Sequence, residues 1–281
     1  MKNLTTLALV SAMVMSSSAF AMESLDDSAL SQTTGQDGVT IKLSGNIAFD
    51  YLAIHDNDGI TGSGLTAAQS GITAPSAGAI VVGGWNGTAS TPVTITAANG
   101  INLLIDADGN SNAGAPATGN AVLNINMDLG DTTIAVGSIG VAASANGGKT
   151  LTERKNVLDI GNVTLNGLKV NVQLGSQPQG ALIKVNSVIT NGLDLSNVAL
   201  KGTAGDISLG AVNIKSAGQA NLNLALSVNP VANGLTISGL GNLDVSASAL
   251  KLGDTSLATT KSLGAMYVSN LSVGDMTISG H

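Results

Sequence analysis

From Val122 to the C-terminal end the chain repeats one kind of phrase: aliphatic and polar residues alternate for a few positions and then stop at Gly or Asn. Val122-Leu123-Asn124-Ile125-Asn126-Met127, Leu168-Lys169-Val170-Asn171-Val172, Leu222-Asn223-Leu224-Ala225-Leu226 and Leu235-Thr236-Ile237 all follow it. So, in shorter form, do segments within 157–165, 183–185, 207–209, 212–214, 245–247 and 276–278. A period of two sends successive side chains to opposite faces of a pleated strand, whereas a helix needs a period near 3.6. The same alternation begins earlier, with Ile41 and Leu43 and then Ile47, Phe49 and Tyr51 set against Thr40, Lys42, Asn46 and Asp50.

Composition limits how such strands can pack. The 281 residues include no Cys and only 2% aromatics, so neither disulfides nor thiolate-bound metals hold the fold. The core has to be thin, regular layers of Val, Ile, Leu and Ala. With 43% hydrophobic and 10% charged residues the chain has enough apolar surface to fold. Its formal net charge of −7 gives no electrostatic footprint for nucleic acid or anionic lipid.

These features predict an all-β fold: an elongated β-solenoid or β-prism-like stack of short Gly- and Asn-punctuated strands, with a long antiparallel meander or sandwich as the alternative. Asn-Gly pairs at Asn99, Asn166, Asn191 and Asn233 favour type I′ hairpin turns and so support antiparallel pairing. Leu129-Gly130-Asp131-Thr132-Thr133-Ile134 returns as Leu252-Gly253-Asp254-Thr255-Ser256-Leu257, but no fixed period links the echoes. A transmembrane barrel is disfavoured because Phe49, Tyr51, Trp85 and Tyr267 cannot make two aromatic girdles.

The N-terminus reads differently. Lys2, the apolar stretch from Leu4 to Met15 and the small-x-small site Ala19-Phe20-Ala21 form a secretory signal, expected over residues 1–21. Residues 22–38 form an acidic segment in which Ser24 and Asp27 have capping-box spacing and Leu25, Ala29 and Leu30 share one side of a short helix. A single β-rich domain is expected over 39–281, loop-rich from about 53 to 116, with no transmembrane helix after signal cleavage.

Few residues suggest chemistry. Asp56 and Asp58, and again Asp106 and Asp108, stand in Asp-x-Asp-Gly sequences after apolar runs, a form suited to Ca²⁺ but lacking the earlier Asp of an EF-hand. An ordinary Asp-Gly turn is the favoured reading, with Ca²⁺ as the candidate metal. His55 is expected in a surface loop; without Cys or a Gly-x-Ser-x-Gly elbow, any catalytic triad would depend on it, and no enzymatic activity is expected. Trp85, among glycines, is a candidate partner contact.

The stretch Met22-Glu23-Ser24-Leu25-Asp26-Asp27-Ser28-Ala29-Leu30-Ser31, with Thr33-Thr34-Gly35-Gln36-Asp37-Gly38, resembles the start of FilA-like pilus-system proteins of Acinetobacter and related gammaproteobacteria. The resemblance implies an exported structural, adhesive or accessory component of a pilus or surface-filament system. Its partners would be other pilus or envelope proteins, or further copies of itself, and its place the cell surface or the medium. Leu25, Asp26, Asp27 and Leu30 are then candidate docking residues. The alternative is a periplasmic or extracellular protein binding calcium, glycan or lipid.

Overall fold

The alternating runs form strands, and the strands join end to end into rows far longer than the runs themselves. A computed structural model describes residues 38–64, 66–85, 90–109, 121–253 and 261–280. Residues from Thr40 onward make one compact unit; of the other, Met1–Val39, only Gly38 and Val39 are described. The signal, the expected N-terminal helix and the docking residues Leu25, Asp26, Asp27 and Leu30 lie outside the described residues.

Among the described residues, seventeen strands belong to one large antiparallel sheet that is not closed into a barrel. They fall into eight rows in chain order. Row one is β1 (Gly38–Leu43), β2 (Asn46–Phe49) and β3 (Tyr51–Asp56). After a 3₁₀ turn (Gly59–Ser63) and the one-turn helix α1 (Ala67–Ser70), row two returns as β4 (Gly78–Trp85), β5 (Ser90–Thr91), β6 (Val93–Ala97) and β7 (Ile101–Asp108). Rows three and four are single strands of 24 and 26 residues, β8 (Val122–Ala145) and β9 (Thr150–Gly175). Row five is β10 (Ile183–Ile189) with β11 (Leu193–Leu200), and row six is β12 (Asp206–Ser216) with β13 (Leu222–Val231). Row seven is β14 (Gly234–Ser238) with β15 (Asn242–Gly253), and row eight is β16 (Ser262–Ser272) with β17 (Met276–Ile278).

Each row pairs with the next. β7, β6 and β4 lie in succession along one side of β8, and β10 and β11 lie in succession along the far side of β9. β12 pairs with β11 and β15, β13 with β10 and β14, and β16 and β17 cover β15 and β14. All of these registers are antiparallel, as a long meander requires. None of the described pairings is the parallel, coil-on-coil pairing of a solenoid.

Where most rows are interrupted, the interruptions line up into a crease across the sheet, dividing it into two arms. Of the four Asn-Gly pairs followed by Leu or Ile, three sit on this crease and do not make the hairpins expected of them. Asn99-Gly100 is the jog between β6 and β7, Asn166-Gly167 lies inside β9 opposite a register shift at Gly130 in β8, and Asn191-Gly192 is the jog between β10 and β11. Of these four, Asn233-Gly234 alone stands at a reversal, where Val231 pairs with Gly234; a further pair, Asn146-Gly147, lies in the turn from β8 to β9, next to the pairing of Ala145 with Thr150. Glycine is required at the jogs. Gly100 and Gly192 have φ of 75° and 90°, and a Cβ would stand 2.6 Å from the carbonyl oxygens of Leu43 and Ile214 respectively.

The main core follows the crease. Ile189, Leu222 and Leu243 are buried there, with Leu165, Leu168, Leu193, Ile214, Leu224 and Val273 packed against them. These residues come from rows four to eight and from both arms. Full burial of one such side chain stabilises by about 1.5–3 kcal/mol. A smaller cluster of Ala79, Val81 and Ala142, with Ala53 and Leu151, holds rows one to four at the far end of the first arm.

Candidate functional site

Residues directly opposite each other on adjacent strands share a face, so the registers trace each face from row to row. On the face of the core, one line of contacts runs Ile47, Ile95, Ile134, Val163, Leu195, Val212, Ala247, Met266, through all eight rows. One residue along, on the opposite face, runs Asn46, Thr96, Thr133, Thr164, Asp194, Asn213, Ser246, Tyr267. The second arm repeats the apolar line as Ile105, Ile125, Val172, Ile183, Val228, Ile237 and Met276. Along these lines one face is apolar and the other polar; toward the far end of the first arm the second face also carries apolar side chains, with Ile80 and Val141, paired with each other and adjacent in sequence to the buried Ala79, Val81 and Ala142, 50% and 44% exposed.

The apolar face does not stop short of the edges. At Ile47 and Phe49 in row one, and at Val268 and Leu271 in row eight, the core-face side chains are 41%, 39%, 36% and 43% exposed. Inner neighbours on the same lines, Val212 and Ala247, are 7% and 2% exposed. Among the described residues, no strand pairs with the outer side of either edge row. β16 also lacks the usual protection of a free edge: Ser262–Ser272 contains no charged residue and no Pro. Row eight is held to its neighbours from the polar face. The Asp244 carboxylate accepts backbone N–H bonds from Gly218 at 2.9 Å and from Asn270 at 2.8 Å, the latter at a left-handed residue of β16. These two bonds hold the carboxyl below its usual range.

The residues singled out from sequence scatter. Asp56 ends row one at the far end of the first arm, and its carboxylate accepts the Asp58 backbone N–H at 3.3 Å. Asp106 and Asp108 lie in β7, opposite Asn124 and Val122, at the far end of the second arm. The two Asp pairs are thus at opposite ends of the sheet, and among the described residues no three His, Cys, Asp or Glu are grouped to hold a metal. Trp85 ends β4, opposite Ser90.

His55 is not in a surface loop. It lies in β3 opposite Ala79, and its Nδ1 is 2.8 Å from the Ser144 hydroxyl in row three. The bond spans row two and ties row one to row three. Ser144 also lines an open hollow of about 410 Å³ with Ser76, Ala77, Ala143, Thr150 and Thr152. No side chain in that lining is an acid or a cation, so the hollow holds no charge to orient a base or a substrate.

The charged groups that are drawn inward also have structural partners. At the turn from row five to row six, Lys201 Nζ lies 2.5 Å from the Asp206 carboxylate and 3.6 Å from that of Asp159. Hydrogen bonding to Asp206, opposed in part by burial, raises the lysine above its ordinary value. Arg154 donates to the Ser138 hydroxyl at 3.0 Å, and burial lowers its pKa. No described helix is long and apolar enough to cross a membrane.

The free edge β16 is not among the alternating runs legible in the sequence. Its signal was the absence of charge from Ser262 to Leu271.

The model of a family of unknown function (DUF6160) matches residues 1–128, which span the N-terminal segment, rows one and two and the start of row three. No curated protein and no solved structure matches the chain.

Proposed function

We propose that this chain is an exported, non-enzymatic structural or accessory component of a surface filament, and that its sheet edges are its assembly sites. The observation that carries the reading is the pair of edge rows that, among the described residues, have no strand on their outer side and whose apolar face stays exposed. Strand addition to such an edge supplies main-chain hydrogen bonds along its length and covers the apolar side chains on one face. The secretory pattern of residues 1–21 and the FilA-like acidic segment support export and a pilus-type setting. In this reading Leu25 and Leu30 belong to a docking segment that delivers the β domain to its assembly partner.

The test is to fractionate the native bacterium, follow the chain with an antibody, and examine labelled cells by electron microscopy. Label along filaments or at their tips is the expected result. A soluble periplasmic protein with no filament label overturns the proposal. Changing Leu25 and Leu30 to Asp is expected to abolish surface display while the isolated protein keeps its β-sheet circular dichroism.

A further inference from the structure

We infer that the occupant of each free edge is a second copy of this chain, added head to tail: β16 of one copy pairs antiparallel with β2 and β3 of the next. The inference rests on the structural reading above and names the partner and the register.

The first argument is topological. In a meander of eight rows, rows one and eight run in opposite directions because eight is even. A copy displaced sideways by one sheet width, without being turned over, therefore sets its row one antiparallel to row eight. Its core face stays on the same side, and the alternation of rows continues unbroken. An odd number of rows would have forced parallel pairing at the joint.

The second argument is one of lengths. From the crease to the end of the first arm, row one runs from Asn46 to Asp56 and row eight from Ser272 back to Ser262, eleven residues each. Beyond the crease, β17 has three residues and β1 six. With the creases aligned, each row-eight segment finds a partner at least as long. Twofold pairing of β16 with itself would point the two first arms in opposite directions and break the crease.

The third argument is chemical. Aligning the creases sets Leu271 beside Ile47 and, past the left-handed residue Asn270, Val268 beside Phe49. These are four of the core-face residues left exposed at the edges. A head-to-tail joint covers all four with one another, and a contact of this kind does not close on itself after two copies.

The chain contains no cysteine, so any disulfide in an engineered variant is one that was placed there. Directly opposed antiparallel residues are close enough for a disulfide. Two proteins, one carrying Phe49→Cys and the other Val268→Cys, are purified, mixed and oxidised, and Ile47→Cys with Leu271→Cys repeats the test at the neighbouring position. The expected result is a mixed dimer in preference to either self-linked dimer, and a ladder of oligomers when both substitutions are placed in one chain. Preferential self-linking of Val268→Cys overturns the inference in favour of a twofold contact. A monomer by light scattering with no cross-link at either position also overturns it. Loss of the ladder in the chain carrying Phe49→Cys and Val268→Cys when Leu271→Lys is added, with its melting transition intact, supports it. Filament label without the mixed cross-link removes this inference and leaves the proposed function standing; the mixed cross-link without surface label does the reverse.

Discussion

The centre and the edges of this sheet are written in the same alternating code and end in opposite states. β8 and β9 run through 24 and 26 residues, each with neighbours on both sides, and their interruptions are register shifts that leave the strands continuous. Row eight carries the same mixture of Leu, Val, Met, Ser and Asn, yet nearly every residue of β16 and β17 is exposed. Row one is similar over β1 and β2. What separates the regions is the number of neighbouring strands. A residue on an edge row has half the same-face neighbours of an interior one, so an apolar side chain that is buried in the middle is left half in water at the rim. Among the described residues, the edges therefore present a face that no further strand covers.

Substitutions of graded effect can break or sharpen that contrast. The largest loss is expected at the crease, where Ile189 is fully buried: Ile189→Ala should cost about 2–5 kcal/mol in urea unfolding. A value near zero would mean that the crease core does not hold the two arms. Next comes Gly192→Val, which places a β-branched residue at positive φ with its Cβ crowding the Ile214 carbonyl oxygen. Strain of this kind costs about 1–3 kcal/mol, read by the same unfolding measurement.

The Lys201 cluster should show its effect through pH. Because the folded state raises this lysine, its contribution is complete below the ordinary value of 10.5 and is lost as pH rises through the higher folded value. Lys201→Met should flatten the alkaline limb of the unfolding curve and cost only about 1 kcal/mol at neutral pH, since the lysine is partly solvated. Asp244 acts in the other direction. Its carboxyl is held low, so its contribution is present above 3.8 and fades as pH falls below that. Pepsin at low pH should consequently cut row eight before it cuts β8 or β9, and Asp244→Asn should extend that sensitivity to higher pH.

The smallest effect belongs to the rim. Leu263 is 69% exposed, and Leu263→Ala should change stability by less than about 0.5 kcal/mol. A large loss would show that the edge is already covered in the isolated protein.

The period-two runs determined the class of this fold, because alternation leaves a strand as the only element that can bury one face of each segment. Val122–Met127, Leu168–Val172 and Leu222–Leu226 all lie in strands. The same runs did not reveal that 157–165 and 168–172 are one strand. Asn166-Gly167 is chemically fit for a hairpin turn, and only the paired row alongside, with its own shift at Gly130, makes it a bulge. Nor did the sequence place His55 against Ser144, since that contact spans 89 residues and depends on which row lies between them. Composition determined the materials of the core, with no Cys and almost no aromatics to build from. The tertiary structure alone decided which aliphatic residues would be its interior and which its rim. Ile47 and Ile134 are the same residue in the same pattern, on one line across the sheet; they differ because strands flank Ile134 on both sides and Ile47 on one, and that is a property of row order, which no local sequence contains.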